Sequence, residues 1–213
     1  AFVAADQIFN QVCKTRYVFG GRAKIPLVIR SQEGTGRGNA ATHSQCLETI
    51  FVHMPGIKVV CPSTPAEAAG LLRTAIRDDN PVAFFEQKVL YASKGEVPDD
   101  PEFMIPFGKA DIKREGTDVT VVANLMYVQK SLQAAEELAK EGISVEVIDP
   151  RTLVPFDYDT VANSVKKTGR LVVVHEAHQN AGWGAQVITE TTKRVFPYLD
   201  AAPIHLGAKA CPL

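Results

Sequence analysis

No stretch of this 213-residue chain approaches the ~20 consecutive apolar residues that a membrane helix needs, which argues against a membrane-spanning protein. Neither sign of charge dominates: 23 Lys and Arg stand against 24 Asp and Glu, for a formal net charge of -1. Without a basic run to neutralise several phosphates, nucleic acid is not an expected partner. Cysteine is scarce too. Cys13, Cys46, Cys61 and Cys211 are irregularly spaced with no CxxC pair, which excludes a dense disulfide scaffold and leaves them as buried small hydrophobes in a reducing compartment. A basic leader with a cleavage site is also missing. These absences point to a soluble protein of the cytoplasm, or of the mitochondrial matrix or plastid after removal of an import sequence. What is present is 46% hydrophobic content, enough for one large or two small domains with a sizeable core.

Periodicity organises the chain. Phe2, Val3, Ile8, Phe9, Val12 and Val18 fall about one face apart, which predicts an amphipathic helix over 2–17 ending at Gly20-Gly21. The apolar run 26–30 predicts a strand buried on both faces, leading into Gly34-x-Gly36-x-Gly38. Further elements are expected as a helix over 44–53, a strand over 57–61, a helix from Ser63-Thr64-Pro65 to about Asp78, and a strand over 82–86. After Gln87 the pattern fades into Gly95, Pro98, Asp99, Asp100, Pro101 and Pro106, the composition of an ordered surface linker. It restarts with strands over 119–123, 144–148 and 170–175 and helices over 127–140, 158–167 and 184–195. The expectation is an α/β chain of two tandem three-layer domains with mostly parallel sheets, 1–90 and 117–213, joined by a linker over 91–116. The chain opens on Ala1-Phe2-Val3-Ala4 without Met and closes on Cys211-Pro212-Leu213 without a final helix or strand, which reads as truncation at both ends.

Several short motifs bear on chemistry. The glycine loop between a strand and a helix is either a phosphate cradle or a tight turn. A dinucleotide site would add an acidic residue at the end of the next strand, where this chain has Cys61-Pro62. His43 follows the loop at a strand's carboxyl end, where α/β sheets place ligand crevices and an imidazole can move protons near neutral pH. A helix-capping histidine is the plainer alternative. Cys46, three residues on, could pair with His43 as a nucleophile, but no third orienting group is identifiable. His175-Glu176-Ala177-His178 is not HExxH, because its histidines are three apart, so structural hydrogen bonding or an interface role is preferred over zinc. Gly182-Trp183-Gly184 opens a helix whose N-terminus could meet an anion or a partner. Asp149-Pro150-Arg151 reads as a structural turn.

Five segments together resemble one family: Ala41-Thr42-His43-Ser44-Gln45, the run from His53 to Val60, the run from Ile76 to Pro81, Asp149-Pro150-Arg151-Thr152-Leu153 and Val174-His175-Glu176. They are similar to the beta subunit of the thiamine-diphosphate-dependent decarboxylating component of 2-oxo acid dehydrogenase complexes, with the pyruvate and acetoin dehydrogenase types nearest. The stretch from Gly108 to Gly116 looks more like the acetoin type. The resemblance implies a transketolase-like pyrimidine-binding domain remainder followed by a transketolase C-terminal-like domain. It implies an alpha2beta2 assembly in which the alpha subunit holds thiamine diphosphate through Mg2+ and the active site lies between chains. The product acyl group would pass to a lipoyl arm of the acyltransferase core.

By the same resemblance, His43 matches the family's active-site histidine, which orients or protonates intermediates during acyl transfer. The family's cofactor-activating glutamate and pyrimidine-contacting aromatics lie in an opening segment that this sequence lacks, so no cofactor-binding residue is assigned. Leu27, Val28, Ala75, Asp78 and Asn80 match the family's K+ site, which uses mainly backbone carbonyls. The second domain is implied to mediate dimer contact and docking. Two other readings remain open from the residues alone: a chain that pairs but catalyses nothing, and a dinucleotide-binding oxidoreductase using Gly34 to Gly38.

Overall fold

A computed structural model describes residues 2–211; Ala1, Pro212 and Leu213, and the side chain of Phe2, lie outside the described residues. A 3-10 turn (Phe2–Ala4) and a π-helical stretch (Gln7–Val12) lead into α1 (Cys13–Val18), β1 (Val28–Glu33), α2 (Glu48–Val52), β2 (Lys58–Val60), α3 (Pro65–Ile76) and β3 (Val82–Gln87). Then come β4 (Asp111–Arg114), β5 (Val119–Ala123), α4 (Met126–Ala139), β6 (Val145–Asp149) and β7 (Thr152–Val154). The chain continues through α5 (Tyr158–Thr168), β8 (Leu171–His178), α6 (Trp183–Val195) and β9 (Ile204–Ala208).

These strands form two sheets, of order β1-β3-β2-β7 and β4-β6-β5-β8-β9. In the first, β1, β3 and β2 run parallel and β7 joins antiparallel. In the second, β6, β5, β8 and β9 run parallel and β4 is an antiparallel edge. This is the expected α/β class. Central strands are apolar at nearly every position because both faces are covered. Val82 and Phe84 of β3 pack with Val60, Leu71 and Ala75 beneath α3. Ala83 and Phe85 turn the other way, where Phe51 meets Phe85 edge-on with ring centroids 5.1 Å apart. That second cluster continues through Leu153 into Val122, Ile148, Val161 and Val173 of the second sheet and its helices. One apolar core therefore runs across the seam between the sheets.

Local signals place most helix ends. The Thr64 hydroxyl accepts the Glu67 N–H at 3.2 Å with Pro65 in the first position of α3, as the Ser-Thr-Pro sequence predicts. Asp157 caps α5 by accepting the Thr160 N–H at 3.1 Å, and Gly169 ends it in the left-handed conformation.

The structure departs from the sequence reading where an element gets its order from distant partners. The expected opening helix is broken into 3-10, π and α stretches, with Ile8 and Cys13 buried but Val3 and Val18 exposed. The helix expected from Ser44 begins only at Glu48, after a 3-10 turn over Ala41–His43. The stretch read as linker contains β4, whose Asp-Ile-Lys-Arg composition hides an edge strand. It also contains Ile105 and Phe103, which pack against Gly70 of α3 so closely that a Cβ there would stand 2.8 Å from Ile105 Cγ1. The three residues of β7 and the half-exposed β9 are too short or too polar to announce themselves. β9 also corrects the expectation that the chain closes without a strand. Cys13 and Cys61 are buried as expected, whereas Cys46 is half-buried and Cys211 exposed.

Gly56 has φ +100° and a Cβ there would overlap the Cys13 carbonyl oxygen. Gly56→Ala is expected to lower stability by about 2–3 kcal/mol, read as a lower urea midpoint; an unchanged midpoint would show that the turn relaxes freely.

Candidate functional site

The carboxyl end of β1 runs into the glycine loop, and the loop is gripped from both sheets. Glu176 on β8 accepts the Thr35 N–H at 2.8 Å and the Thr35 hydroxyl through the same oxygen. Its other oxygen accepts Gln87 Nε2 at 2.7 Å. Lys88, just past β3, donates its ammonium to the carbonyls of Gly34, at 3.3 Å, and of His43. The Gly34 N–H donates to Gln45 O at 3.2 Å, closing the loop on itself. Glycine is required at 34, because a Cβ would collide with the Gln87 amide and stand 2.8 Å from Glu176 Oε2. The loop is thus an anion-binding turn whose anion is a carboxylate of the same chain. The Thr35 amide is therefore taken by the chain's own carboxylate, which favours the tight-turn reading of the loop over the phosphate cradle.

His43 sits on the 3-10 turn that follows, its side chain exposed at the edge of a cavity of about 360 Å³ lined also by Gln32, Asn39, Thr42, Gln45 and Lys88. On the other side of the same segment, Cys46, Thr49, His178 and Asn180 line a cleft of about 570 Å³ between the two halves. Burial and the neighbouring Glu48, Glu33 and Glu176 carboxylates push the Cys46 thiol well above its ordinary range. The Cys46–His43 nucleophile therefore lacks the electropositive setting that activates a thiolate.

At the end of β1 and the start of α2 lies a pair of carboxyls, Glu33 and Glu48, each about 1% exposed. The Leu47 N–H donates to Glu33 Oε2 at 3.0 Å. Burial raises both carboxyls, Glu48 to about 7 and Glu33 well above its ordinary value, with the charge of Glu48 raising Glu33 further. Two carboxyls in one dry site cannot both ionise near neutral pH, so the pair retains a proton.

A second network closes the seam beside α3. The Ser63 hydroxyl bridges Glu67, at 2.9 Å, and Asp149. Arg151 Nε meets Glu67 at 2.8 Å, Lys113 pairs with Glu67 and with Asp111 at 2.7 Å, and Arg151 reaches Asp111 at 2.7 Å. Burial pushes Glu67 up, but Lys113 and Arg151 outweigh it and bring the carboxyl down to about 2. Asp149 is raised to about 8 by burial and then by Glu67. Asp149-Pro150-Arg151 is thus a structural junction, as its turn sequence suggests.

The remaining motifs fall elsewhere. His175 and His178 lie in β8 rather than on a turn, and they face different partners. His175 Nδ1 bonds Ala177 O at 3.0 Å and its Nε2 meets His205 Nε2 at 2.7 Å, whereas His178 Nδ1 meets Lys209 O at 2.8 Å. Burial and the adjacent His205 lower His175 to about 4. Gly182 and Gly184 leave room for this histidine pair, because a Cβ at either would stand 2.6 Å from His175 or His205. Their sequence signal therefore reflects packing at the start of α6. Leu27, Val28, Ala75, Asp78 and Asn80 gather at the opposite corner of the first sheet, around the start of β1 and the turn into β3. There the Leu27 carbonyl accepts the Val82 N–H at 2.9 Å and the Ala75 carbonyl accepts the Asp78 N–H at 3.3 Å. The Asp78 carboxylate takes the Asn80 N–H at 2.8 Å and the Lys58 ammonium.

Two domain families match the chain: transketolase, pyrimidine binding domain, over residues 1–94, and transketolase, C-terminal domain, over residues 108–213. The chain belongs to the transketolase family. Acetoin:2,6-dichlorophenolindophenol oxidoreductase subunit beta of Cupriavidus necator is 51% identical over 199 residues, 93% of this transketolase-family chain and 59% of the relative. Pyruvate dehydrogenase E1 component subunit beta of Rhizobium meliloti is 45% identical over 213 residues, covering all of this chain and 46% of the relative. The Bacillus subtilis protein of the same name is 47% identical over 204 residues, 95% of this chain and 62% of the relative. The likeness to these beta subunits, first read from five segments, thus runs along almost the whole chain, which spans 46–62% of the length of the three. A solved structure described as split gene transketolase, inactive beta4 tetramer, superposes with TM-score 0.77 at 24% identity over 97% of this chain and 63% of that one, a likeness of fold.

The raised carboxyls, Glu48 and Asp149 among them, generate a pH prediction. A folded-state value above the ordinary carboxylate value means that protons favour the native state. The stabilisation is full below about pH 4 and is lost as pH rises through about 7 for Glu48 and about 8 for Asp149. Glu67 works in the opposite window, its contribution disappearing as pH falls from about 4 through about 2. Melting temperature is therefore expected to fall from pH 5.5 to 8.5, and Glu48→Gln, a neutral isostere, to flatten that slope. Thermal melts at four pH values decide it; an unchanged slope in the variant would mean that Glu48 does not hold the proton.

Proposed function

We propose that this chain is the beta-type portion of a thiamine-diphosphate-dependent dehydrogenase that oxidatively decarboxylates pyruvate or a related 2-oxo acid, or cleaves acetoin, and passes the acyl group to a lipoyl arm. The observation that carries the reading is 45–51% identity, over 93–100% of this chain, to subunits named for pyruvate dehydrogenase and for an acetoin oxidoreductase. The site supports it through His43, whose side chain stands at the cavity rim while its main chain is held from within. An imidazole so placed can exchange a proton with a bound intermediate or with the incoming acyl acceptor.

The carboxyls near His43 do not fit the task of protonating an aminopyrimidine ring. Glu33 and Glu48 are buried, and Glu176 is engaged by Thr35 and Gln87. No cofactor-activating step is therefore assigned to this chain's residues, and it is expected to be inactive by itself. An alpha subunit would hold the diphosphate and Mg2+ in an alpha2beta2 assembly, and the second domain would provide dimer contact and docking to the lipoyl acyltransferase core. We divide the domains at 91–116, a stretch that contains the gap at 95–107 between the two family matches. The Leu27–Asn80 corner is assigned to K+ by the family resemblance; its Leu27 and Ala75 carbonyls each already accept a backbone N–H, and Lys58 is the competing cation at Asp78. No helix among the described residues is long and apolar enough to cross a membrane; the cytoplasm, or an organelle matrix, is the proposed compartment.

Two measurements test the reading. Calorimetry with thiamine diphosphate and Mg2+ is expected to give binding only when the chain is mixed with its alpha partner; no binding in the mixture would remove the assignment. His43→Ala in the complete complex is expected to lower acyl transfer to lipoamide about 100-fold with the cofactor Kd changed less than about threefold. Equal loss of both would end the acyl-transfer role.

A further inference from the structure

We propose that Lys88 is a positioning residue for His43, acting through the main chain of the loop that carries it; the catalytic consequence rests on the function proposed above, the structural one does not. Lys88 is only 5% exposed. Burying an ammonium and freezing its long stem are both unfavourable, so the side chain must be held by strong acceptors. Those acceptors are two backbone carbonyls, Gly34 and His43, at the two ends of the glycine loop. A single cation thus ties together the residue where the chain leaves β1 and the residue that bears the imidazole.

The loop is held by complementary charges. Its Thr35 amide points to the Glu176 carboxylate, and its two terminal carbonyls point to Lys88. Gln87, the neighbour of Lys88, carries the link onward by donating to the second oxygen of Glu176. The remainder of the loop has no apolar anchor: Gly36 and Gly38 adopt left-handed angles, Ala40 has φ +57°, and residues 36–40 are exposed. The Ala40 carbonyl accepts the His43 N–H at 3.2 Å and the Ser44 hydroxyl at 2.8 Å, which shapes the turn locally; the two ionic side chains fix where that turn, and His43 with it, stands against the sheets. A displacement of about 1 Å in a reacting group can cost about 100-fold in rate. Lys88 also lines the His43 cavity itself, so its removal alters the floor on which the imidazole is mounted.

The test uses Lys88→Met in the full chain with its alpha partner, which keeps the stem and removes the donor. Hydrogen exchange over residues 34–47 is expected to speed up about tenfold or more while peptides from β5 and β8 are unchanged. Turnover of acyl transfer is expected to fall about 10- to 100-fold with the cofactor Kd within about threefold. Lys88→Arg, which retains a cationic donor, is expected to restore most of both. Unchanged exchange over 34–47 in a folded Met variant overturns the proposal. If neither variant folds, wild-type exchange decides: residues 34–43 must be better protected than the exposed stretch 93–101, and equal rates overturn it. A complex without thiamine-dependent turnover would end the functional reading and leave the exchange result to judge the loop by itself.

Discussion

Glu176 reaches across from the central sheet of one domain to the glycine loop of the other, and the candidate site depends on that contact. Its carboxylate gathers the amide and hydroxyl of Thr35 and the side-chain amide of Gln87. The geometry demands glycine at 34, where any side chain would fill the space that the carboxylate and Gln87 occupy. A loop that could have received a ligand's anion is instead an interdomain joint. His43 stands beyond that joint, so its position follows from how the two domains meet.

The seam is dry enough for ionisable groups to behave in opposite ways over a short distance. Glu67 finds Lys113 and Arg151, and their attraction exceeds the cost of burial, so it ionises easily. Glu33 and Glu48 have no ion-pair partner among the described residues and keep a proton between them. Asp149 is held up by burial and then by the ionised Glu67 beside it. The shared apolar cluster that runs from Phe85 through Leu153 to Val173 excludes the water that would otherwise level these differences.

Much of the fold was legible in the residues because it rests on local rules. Val82-Ala83-Phe84-Phe85 is apolar throughout, the mark of a strand covered on both sides, and Thr64-Pro65 announces α3 by the chemistry of a helix start. The elements that escaped notice get their order from elsewhere. β4 is a charged edge strand fastened by Lys113 and Arg151, β7 is three residues borrowed by the first sheet, and β9 leans half-exposed on β8. The opening segment is helical from 2 to 18 but changes from 3-10 through π to α along its length, with Ile8 and Phe9 on the core and Val3 and Val18 exposed.

The candidate site was legible unevenly. His43 could be singled out from its place after a strand and a glycine loop, and the structure sets its side chain at a cavity rim. Nothing in the spacing pointed to Lys88 or Glu48, which read as ordinary surface charges of a helix or strand end, nor showed that Glu176 would fill the loop. The sequence by itself determined the strand and helix alternation, the α/β class, the family, and the histidine worth testing. Each follows from periodicity, turn chemistry or motif, which are properties of neighbouring residues. Only the tertiary structure decided which charges are buried, which carboxylate occupies the glycine loop, and which cation holds the histidine's carbonyl. Those outcomes depend on groups separated by 45 to 141 positions in the chain meeting in partly buried contacts.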